Sequence, residues 1–410
     1  MKKILIFIDW FLPGYKAGGP ISSNANLIEH LKDEFEFFVV TRDTDYCETT
    51  PYPGVVSNAW NTLPNGAKVY YISNSKLSFR NLIKSIKSID YDVVYINGIY
   101  SLYFSLFPVL WFRHILRKKV VVAARGMLSD HTFSSKKEKK KLFYSLSRRL
   151  GLYKGITFHA TNEEESKQIR KNVGFKGNIK VAPNLPPVIP KTAERTIKKI
   201  PGQLRLISIA RISPEKNTLY ALRILSNLNP QPQPSANSQQ LTANSQQPTA
   251  INFDLYGTIY NQPYWQECLD MIGKLPSHIT VNFCGPLEKD KIQTTLKQYH
   301  FLFMPTQGEN YGHSIVESML AGCPVIISDR TPWRHLNEIK DSTIESSNLE
   351  SKGVGWDIPL EQPQHFVEII DHCLHLDETE YAQMSLGTFH YAQLITHDDA
   401  VIKANSNLFI

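Results

Sequence analysis

Short runs of apolar, β-branched residues recur along the chain, and stretches with helical spacing separate them. The runs Lys3–Asp9, Phe35–Thr41, Val69–Ile72, Val93–Ile96, Val120–Ala124 and Ile156–Ala160 form a first series. Leu204–Ala210, Phe253–Tyr256, Ile279–Cys284, Phe301–Met304 and Val325–Ser328 form a second. Runs of four to seven residues, apolar throughout rather than alternating, are the pattern of parallel strands covered on both faces by helices. Two such series predict an α/β protein with two Rossmann-like domains in tandem.

Between them, PNLPPVIP and KIPG bring five prolines into one stretch and mark a linker. The expected division is an N-terminal domain over 1–185, a linker over 186–202 and a C-terminal domain over 203–385. A helical tail over 386–410 is expected to pack back on the first domain. Within the second domain, 229–250 carries PQPQP and the near-repeat ANSQQ at Ala236 and Ala243. Ser, Asn, Gln and Pro in that density bury no apolar surface, so this insertion reads as disordered.

The longest apolar run, Ile99 to Phe112, is 14 residues and contains Pro108. It is shorter than the ~18–20 residues of a bilayer span and reads as a core or interfacial helix. The opening Met-Lys-Lys-ILIFI breaks at Asp9 without an A-x-A site and reads as a first strand rather than a leader. Five scattered cysteines, none in a C-x-x-C pair, signal neither disulfides nor zinc; they read as packing residues of a reduced, cytoplasmic chain.

The net charge is +7, and eight basic residues between Lys136 and Lys154 face one acid, Glu138. That local excess accounts for the whole net charge. Lys136, Lys137, Lys139, Lys140, Lys141, Arg148 and Arg149 flank a stripe of Leu142, Leu146 and Leu150. Two readings fit: a helix packing its stripe on a sheet, or a helix resting on anionic lipid. No zinc or aromatic-platform module points to nucleic acid.

Candidate chemistry concentrates at three strand ends. PTQGENYGHSIVESMLAG (Pro305–Gly322) follows the strand FLFM and enters a helix with apolar Ile315, Val316, Met319 and Leu320. Free N–H groups at such a helix start suit a phosphate. Gly308 and Gly312 let backbone approach a ligand. Glu309 in the loop and Glu317, placed on the first helical turn, suit sugar hydroxyls. ARISPEKN (Ala210–Asn217) puts Arg211 and Lys216 at another strand-to-helix turn, where both suit a diphosphate. GYKAGGP places Gly18 and Gly19 after the first strand. Asp43-Thr44-Asp45 and Asp90-Tyr91-Asp92 match the common D-x-D pattern without a metal-site context, and no His spacing suggests a metal. A G-x-S-x-G nucleophile motif is absent.

GENYGHSIVESMLAG, ARISPEKN and the glycine loop together resemble the retaining glycosyltransferases of family 4. FHATNEEE at Phe158, LYGT at Leu255, FCGPL at Phe283 and GVGWDIPL at Gly353 resemble the same family. The resemblance is nearest to bacterial enzymes that build surface polysaccharides. It implies a GT-B fold, two Rossmann-like domains facing across a cleft. It implies transfer of a hexose or N-acetylhexosamine from a nucleotide-diphosphate sugar, UDP favoured, to a saccharide acceptor, lipid-linked, without a metal or other cofactor. Arg211 and Lys216 would then neutralise the diphosphate and Glu309 would hold the donor sugar. The amides of Asn310, Tyr311, Gly312, His313 and Ser314 would line sugar and phosphate. Glu317 would hold the ribose, Leu287 would lie against the base, and Gly18 and Gly19 would close over the diphosphate. Where many relatives carry a histidine near the sugar, this chain reads VVVAARGMLSDH, so Arg125 or His131 stands as the sugar or acceptor contact. Other GT-B reactions, epimerisation or phosphorolysis, and a non-catalytic nucleotide-sugar scaffold are the alternatives.

Overall fold

A computed structural model describes residues 1–128, 137–188, 197–228, 249–339 and 353–410, with backbone only at 137–141. The expected insertion at 229–250 falls almost wholly outside these residues. The chain divides into two units, Met1–Val188 with Thr396–Ile410, and Ile189–Ile395. The chain boundary at Val188 lies in the proline-rich stretch.

In the first unit the strands are β1 (Lys2–Phe7), β2 (Phe35–Arg42), β3 (Trp60–Thr62), β4 (Lys68–Ile72), β5 (Val93–Asn97), β6 (Lys119–Ala123), β7 (Thr157–Ala160) and β8 (Asn178–Val181). They form one sheet in the order β3-β4-β2-β1-β5-β6-β7-β8. Every pairing is parallel except β3 with β4. Both faces are covered: Leu5 and Phe7 enter one core cluster, while Ile4 and Ile6 enter the other. This two-sided burial is why β1 reads as a continuous apolar run. The segment Thr396–Ile410 belongs to this unit. Phe409 packs edge-on against Phe35, Phe37 and Tyr95, and the Asn405 amide donates to the Pro183 carbonyl at 2.8 Å.

The second unit holds β9 (Gln203–Ile209), β10 (Ala250–Tyr256), β11 (Ile279–Gly285), β12 (Phe301–Met304), β13 (Val325–Ser328) and β14 (Gly355–Ile358). They form a sheet in the order β11-β10-β9-β12-β13-β14, with all pairings parallel. Phe301 and Phe303 point to one core cluster, Leu302 and Met304 to the other. The first unit is likewise a doubly wound α/β domain, and each sheet has a switch point where strand order reverses: β1/β5 in the first, β9/β12 in the second. Loops leaving the carboxyl ends of strands on either side of such a point diverge and leave room for a ligand.

The apolar run Ile99–Phe112 is resolved into two π-helical segments, Leu102–Leu106 and Val109–Ile115. Phe104, Val109 and Phe112 are buried, whereas Leu102 and Leu110 are exposed. Of the cysteines, Cys268, Cys323 and Cys373 are buried packing residues; Cys47 and Cys284 are exposed, so packing does not explain those two.

Candidate functional site

The switch point of the second sheet gathers the two strongest motifs. β9 runs into Ala210–Lys216 and β12 into Pro305–Gly312, so both motifs leave neighbouring strands at one sheet edge. Hydrogen bonds tie the two loops together. Gln307 N–H donates to the Glu215 carbonyl at 2.9 Å, the Thr306 hydroxyl to the same carbonyl at 3.1 Å, and the Asn217 amide to the Pro305 carbonyl at 3.0 Å. Asn217 has φ 62°, in the left-handed region where Asn is among the better tolerated residues, and it starts the helix Thr218–Ser226.

Lys216 and Glu309 form an ion pair through Nζ and Oε1, with side chains only 18% and 13% exposed. The two residues assigned separately to diphosphate and sugar therefore meet in the structure. Arg330 steadies the same loop, its carbonyl accepting from Glu309 N–H at 3.0 Å. The Arg211 guanidinium lies 5.0 Å from the centroid of the Tyr260 ring, which carries its charge by cation–π contact. The β10 side of the loop comes close here: a Cβ at Gly257 would stand 1.9 Å from the Ala210 carbonyl oxygen.

Gly312 (φ 80°) turns the chain into the helix His313–Leu320, whose start has no side-chain cap. A Cβ there would meet Ile315 Cδ1 at 2.7 Å, on top of the backbone cost, so the position favours glycine. Uncapped N–H groups at a helix start attract anions. The Tyr311 ring lies 4.9 Å from that of His313, tilted by 58°, and edge-on at 5.5 Å to Trp333, which fixes the loop's last turn. Glu317 lies on the second turn of this helix rather than the first, because His313 is the first helical residue. It is 6% exposed, and burial pushes its carboxyl up to about 7 against the opposing pull of Lys289. Gly285 (φ 73°) ends β11 and leads into half-buried Leu287.

In the first unit, Gly18 (φ 73°) precedes the helix Gly19–Leu31 and has open space around a notional Cβ. The loop before it is held by Asp45, whose carboxylate accepts from Tyr15 N–H at 2.9 Å, Lys16 N–H at 3.2 Å and Tyr46 N–H at 2.7 Å. Asp43 accepts from the Ser57 hydroxyl at 2.6 Å. Asp45 of the D-x-D pattern is thus a structural clamp on the glycine loop, while Asp43 holds Ser57. Sequence reasoning passed Asp45 over because only the fold brings position 45 to positions 15 and 16. Tyr260 and Arg330 were missed for the same reason. Among the described residues no group of three or more His, Cys, Asp or Glu is placed to hold a metal.

Arg125 adopts φ 52° at the end of β6. Its guanidinium donates to Asn97 Oδ1 at 2.9 Å, to Tyr95 Oη at 2.7 Å and to Asn184 Oδ1. Tyr95 in turn donates to His159 Nδ1 at 2.8 Å, and His159 Nε2 donates to the Ala182 carbonyl at 2.8 Å. Burial, with the Arg125 charge beside it, drives the His159 imidazole down to about 3, which keeps it neutral. Buried Glu165 accepts from Gly126 N–H at 2.6 Å and from Thr161. Arg125 is therefore a brace joining β5 and the end of β6 to the segment that follows β8, with its donors engaged inside the unit. His131 and Lys136 lie outside the described residues. Lys137, Lys139, Lys140 and Lys141 lie on the helix Lys137–Arg149, and Arg148 and Arg149 at its end are exposed.

Comparison with known proteins agrees with this geometry. The family described as "Glycosyl transferases group 1" matches residues 190–384, nearly all of the second unit. No curated protein matches the chain by sequence. Sucrose-phosphate synthase from Thermosynechococcus elongatus is 14% identical, with TM-score 0.64 over 100% of this chain and 98% of that one. HepE from Anabaena, solved with UDP and glucose, is 16% identical with TM-score 0.64 over 100% and 98%. WaaG, a glycosyltransferase of lipopolysaccharide biosynthesis, is 13% identical with TM-score 0.58 over 99% and 98%. At these identities the likeness is one of fold, the GT-B arrangement of two α/β domains with mainly parallel sheets. The second unit is thus similar to the glycosyltransferases of group 1.

Proposed function

We propose that the chain transfers a hexose or N-acetylhexosamine from a nucleotide-diphosphate sugar, UDP preferred, to a saccharide acceptor with retention at the anomeric carbon. The observation that carries this reading is the meeting, at one sheet edge, of Arg211, the Lys216–Glu309 pair and the uncapped helix start at Gly312. Two cations and a row of N–H groups serve a leaving group that gathers negative charge as the sugar's C1–O bond breaks. The acceptor oxygen then bonds to C1 from the same face, and its proton passes to the departing phosphate oxygen. No protein nucleophile is required, and the co-substrate needs no metal where Arg211 and Lys216 supply the charge.

The Lys216–Glu309 pair ties the two loops of the site together by charge. An incoming diphosphate competes for the Lys216 ammonium, which releases Glu309 to accept hydrogen bonds from sugar hydroxyls. The buried Glu317 awaits donors in the same way, and ribose hydroxyls supply them. The amides from Asn310 to Ser314 line sugar and phosphate, and Leu287 lies against the base. The acceptor is a lipid-linked oligosaccharide of surface-polysaccharide assembly, met at the cytoplasmic face of a membrane. Among the described residues no helix is long and apolar enough to cross one.

A thermal-shift screen with UDP, GDP, ADP, CMP and dTDP, then the matching sugar nucleotides, tests the donor. A nucleotide at ~100 times its Kd adds about 2.7 kcal/mol. A shift with one nucleoside diphosphate that Arg211→Ala abolishes, followed by an α-linked product from an α-linked donor, is expected. Wild-type turnover by Arg211→Ala overturns the assignment.

A further inference from the structure

The helix Lys137–Arg149 packs with the opposite face from the one its leucine stripe suggests. Tyr144 and Ser147 point inward and are buried, whereas Leu142, Leu146 and Leu150 are 71%, 53% and 72% exposed. The Tyr144 hydroxyl pairs with that of Tyr100, and Ser147 donates to the Phe143 carbonyl at 2.8 Å, so the inward face is satisfied. Packing on the sheet is therefore not what the leucines do.

A second element presents the same chemistry beside it. In the π-helical run after β5, Leu102, Leu110, Ile115 and Leu116 are exposed, while Phe104 and Phe112 on the other side are buried. Each element is joined to the other through the residues that flank it. Arg113 Nε donates to the Lys154 carbonyl at 3.2 Å, His114 meets the Leu152 carbonyl at 2.8 Å, and the Tyr100 ring lies 5.6 Å from that of Phe143. No acid occurs from Ile99 to Lys119, a stretch that includes Arg113, Arg117 and Lys118, and Glu138 is the one acid between Lys136 and Lys154. Exposed aliphatic side chains set among cations, on two adjoining elements, exceed the scattered single apolar residues of an ordinary surface.

We infer that the Leu102–Leu116 run and the helix Lys137–Arg149 form one docking face that seats its leucines in the interfacial layer of an anionic lipid bilayer. Charge chooses this occupant. A second copy would bring the same cations against each other across a two-fold axis. A nucleic acid would satisfy the cations and leave seven aliphatic residues in water. Anionic headgroups answer both, with the leucines entering the acyl boundary and the cations remaining at the phosphates. The inference deepens the lipid-linked half of the proposed function, but does not depend on the chemistry of transfer.

Co-sedimentation of the full chain with vesicles, phosphatidylcholine alone or with phosphatidylglycerol, tests it at low and high salt. Binding is expected to need phosphatidylglycerol. Leu142→Ser/Leu146→Ser/Leu150→Ser and, separately, Leu110→Ser/Ile115→Ser should each weaken it at least ~10-fold, as should Arg148→Glu/Arg149→Glu. Unchanged melting and an unchanged nucleotide-induced shift show that the variants are folded and that the donor site is separate. Absence of sedimentation overturns the inference. So do serine variants that bind like wild type, which leaves a polyanion site only, and a wild-type dimer that the serine variants dissociate without loss of vesicle binding. Failure of sugar transfer to a soluble acceptor would instead count against the proposed reaction alone.

Discussion

Glu317 offers the most demanding test of the site. Its carboxyl is buried and pushed up to about 7 from an ordinary 4.5, chiefly by burial. A folded-state pKa raised above the unfolded one means stability that is fully present below the unfolded value and is lost as pH rises through the folded value. The difference of about 2.5 units corresponds to roughly 3 kcal/mol, spent by about pH 8 on holding an ionised carboxylate away from water. Glu317→Gln keeps the shape and removes the charge. It should be more stable than wild type by about 3 kcal/mol near pH 8 and by less than about 1 kcal/mol near pH 5. At ~2–4 °C per kcal/mol for a unit of this size, the melting gap should widen from a degree or two to roughly 6–12 °C. Comparing the two proteins at each pH cancels every other titrating group. The gain should be matched by weaker nucleotide binding, the usual cost of relieving a strained functional group. Parallel pH profiles, or a variant destabilised throughout, would refute the reasoning.

Arg211→Ala should lower kcat/KM by about 2–4 kcal/mol in barrier, ~30- to 1,000-fold, with little change in melting temperature, read by steady-state transfer assays. A double-mutant cycle of Lys216→Met and Glu309→Gln on the empty protein should show a coupling of about 0.5–3 kcal/mol, and saturating nucleotide should shrink it because the diphosphate takes the ammonium. Asp45→Ala strands two backbone N–H groups of the glycine loop, those of Tyr15 and Lys16, together with that of Tyr46, and should cost about 1–3 kcal/mol by denaturant unfolding, while raising KM for the donor. Arg125→Met leaves the oxygens of Asn97, Asn184 and Tyr95 without their donor and should cost about 2–4 kcal/mol; unchanged stability with lost activity would make Arg125 a substrate contact instead.

The central strands were legible because burial on both faces leaves an unbroken apolar run. The strands that escaped notice are β3, β8 and β14, all at sheet edges, where half-exposed positions dilute that signal. The motifs ARISPEKN and GENYGHSIVES were equally legible, since each lies within one loop. What they do to each other was not: Lys216 and Glu309 are 93 positions apart and become partners only across the β9/β12 switch point.

Local composition alone thus determined the order of the central strands, the proline-rich boundary stretch and the loops that carry charge. Pairing across strands decided the rest. It turned Asp45 into a clamp and Arg125 into a brace, buried Glu317 deeply enough to raise its pKa, and set Leu142, Leu146 and Leu150 toward solvent. Hydrophobic spacing fixes which residues share a face of a helix; only tertiary packing decides which face is turned inward.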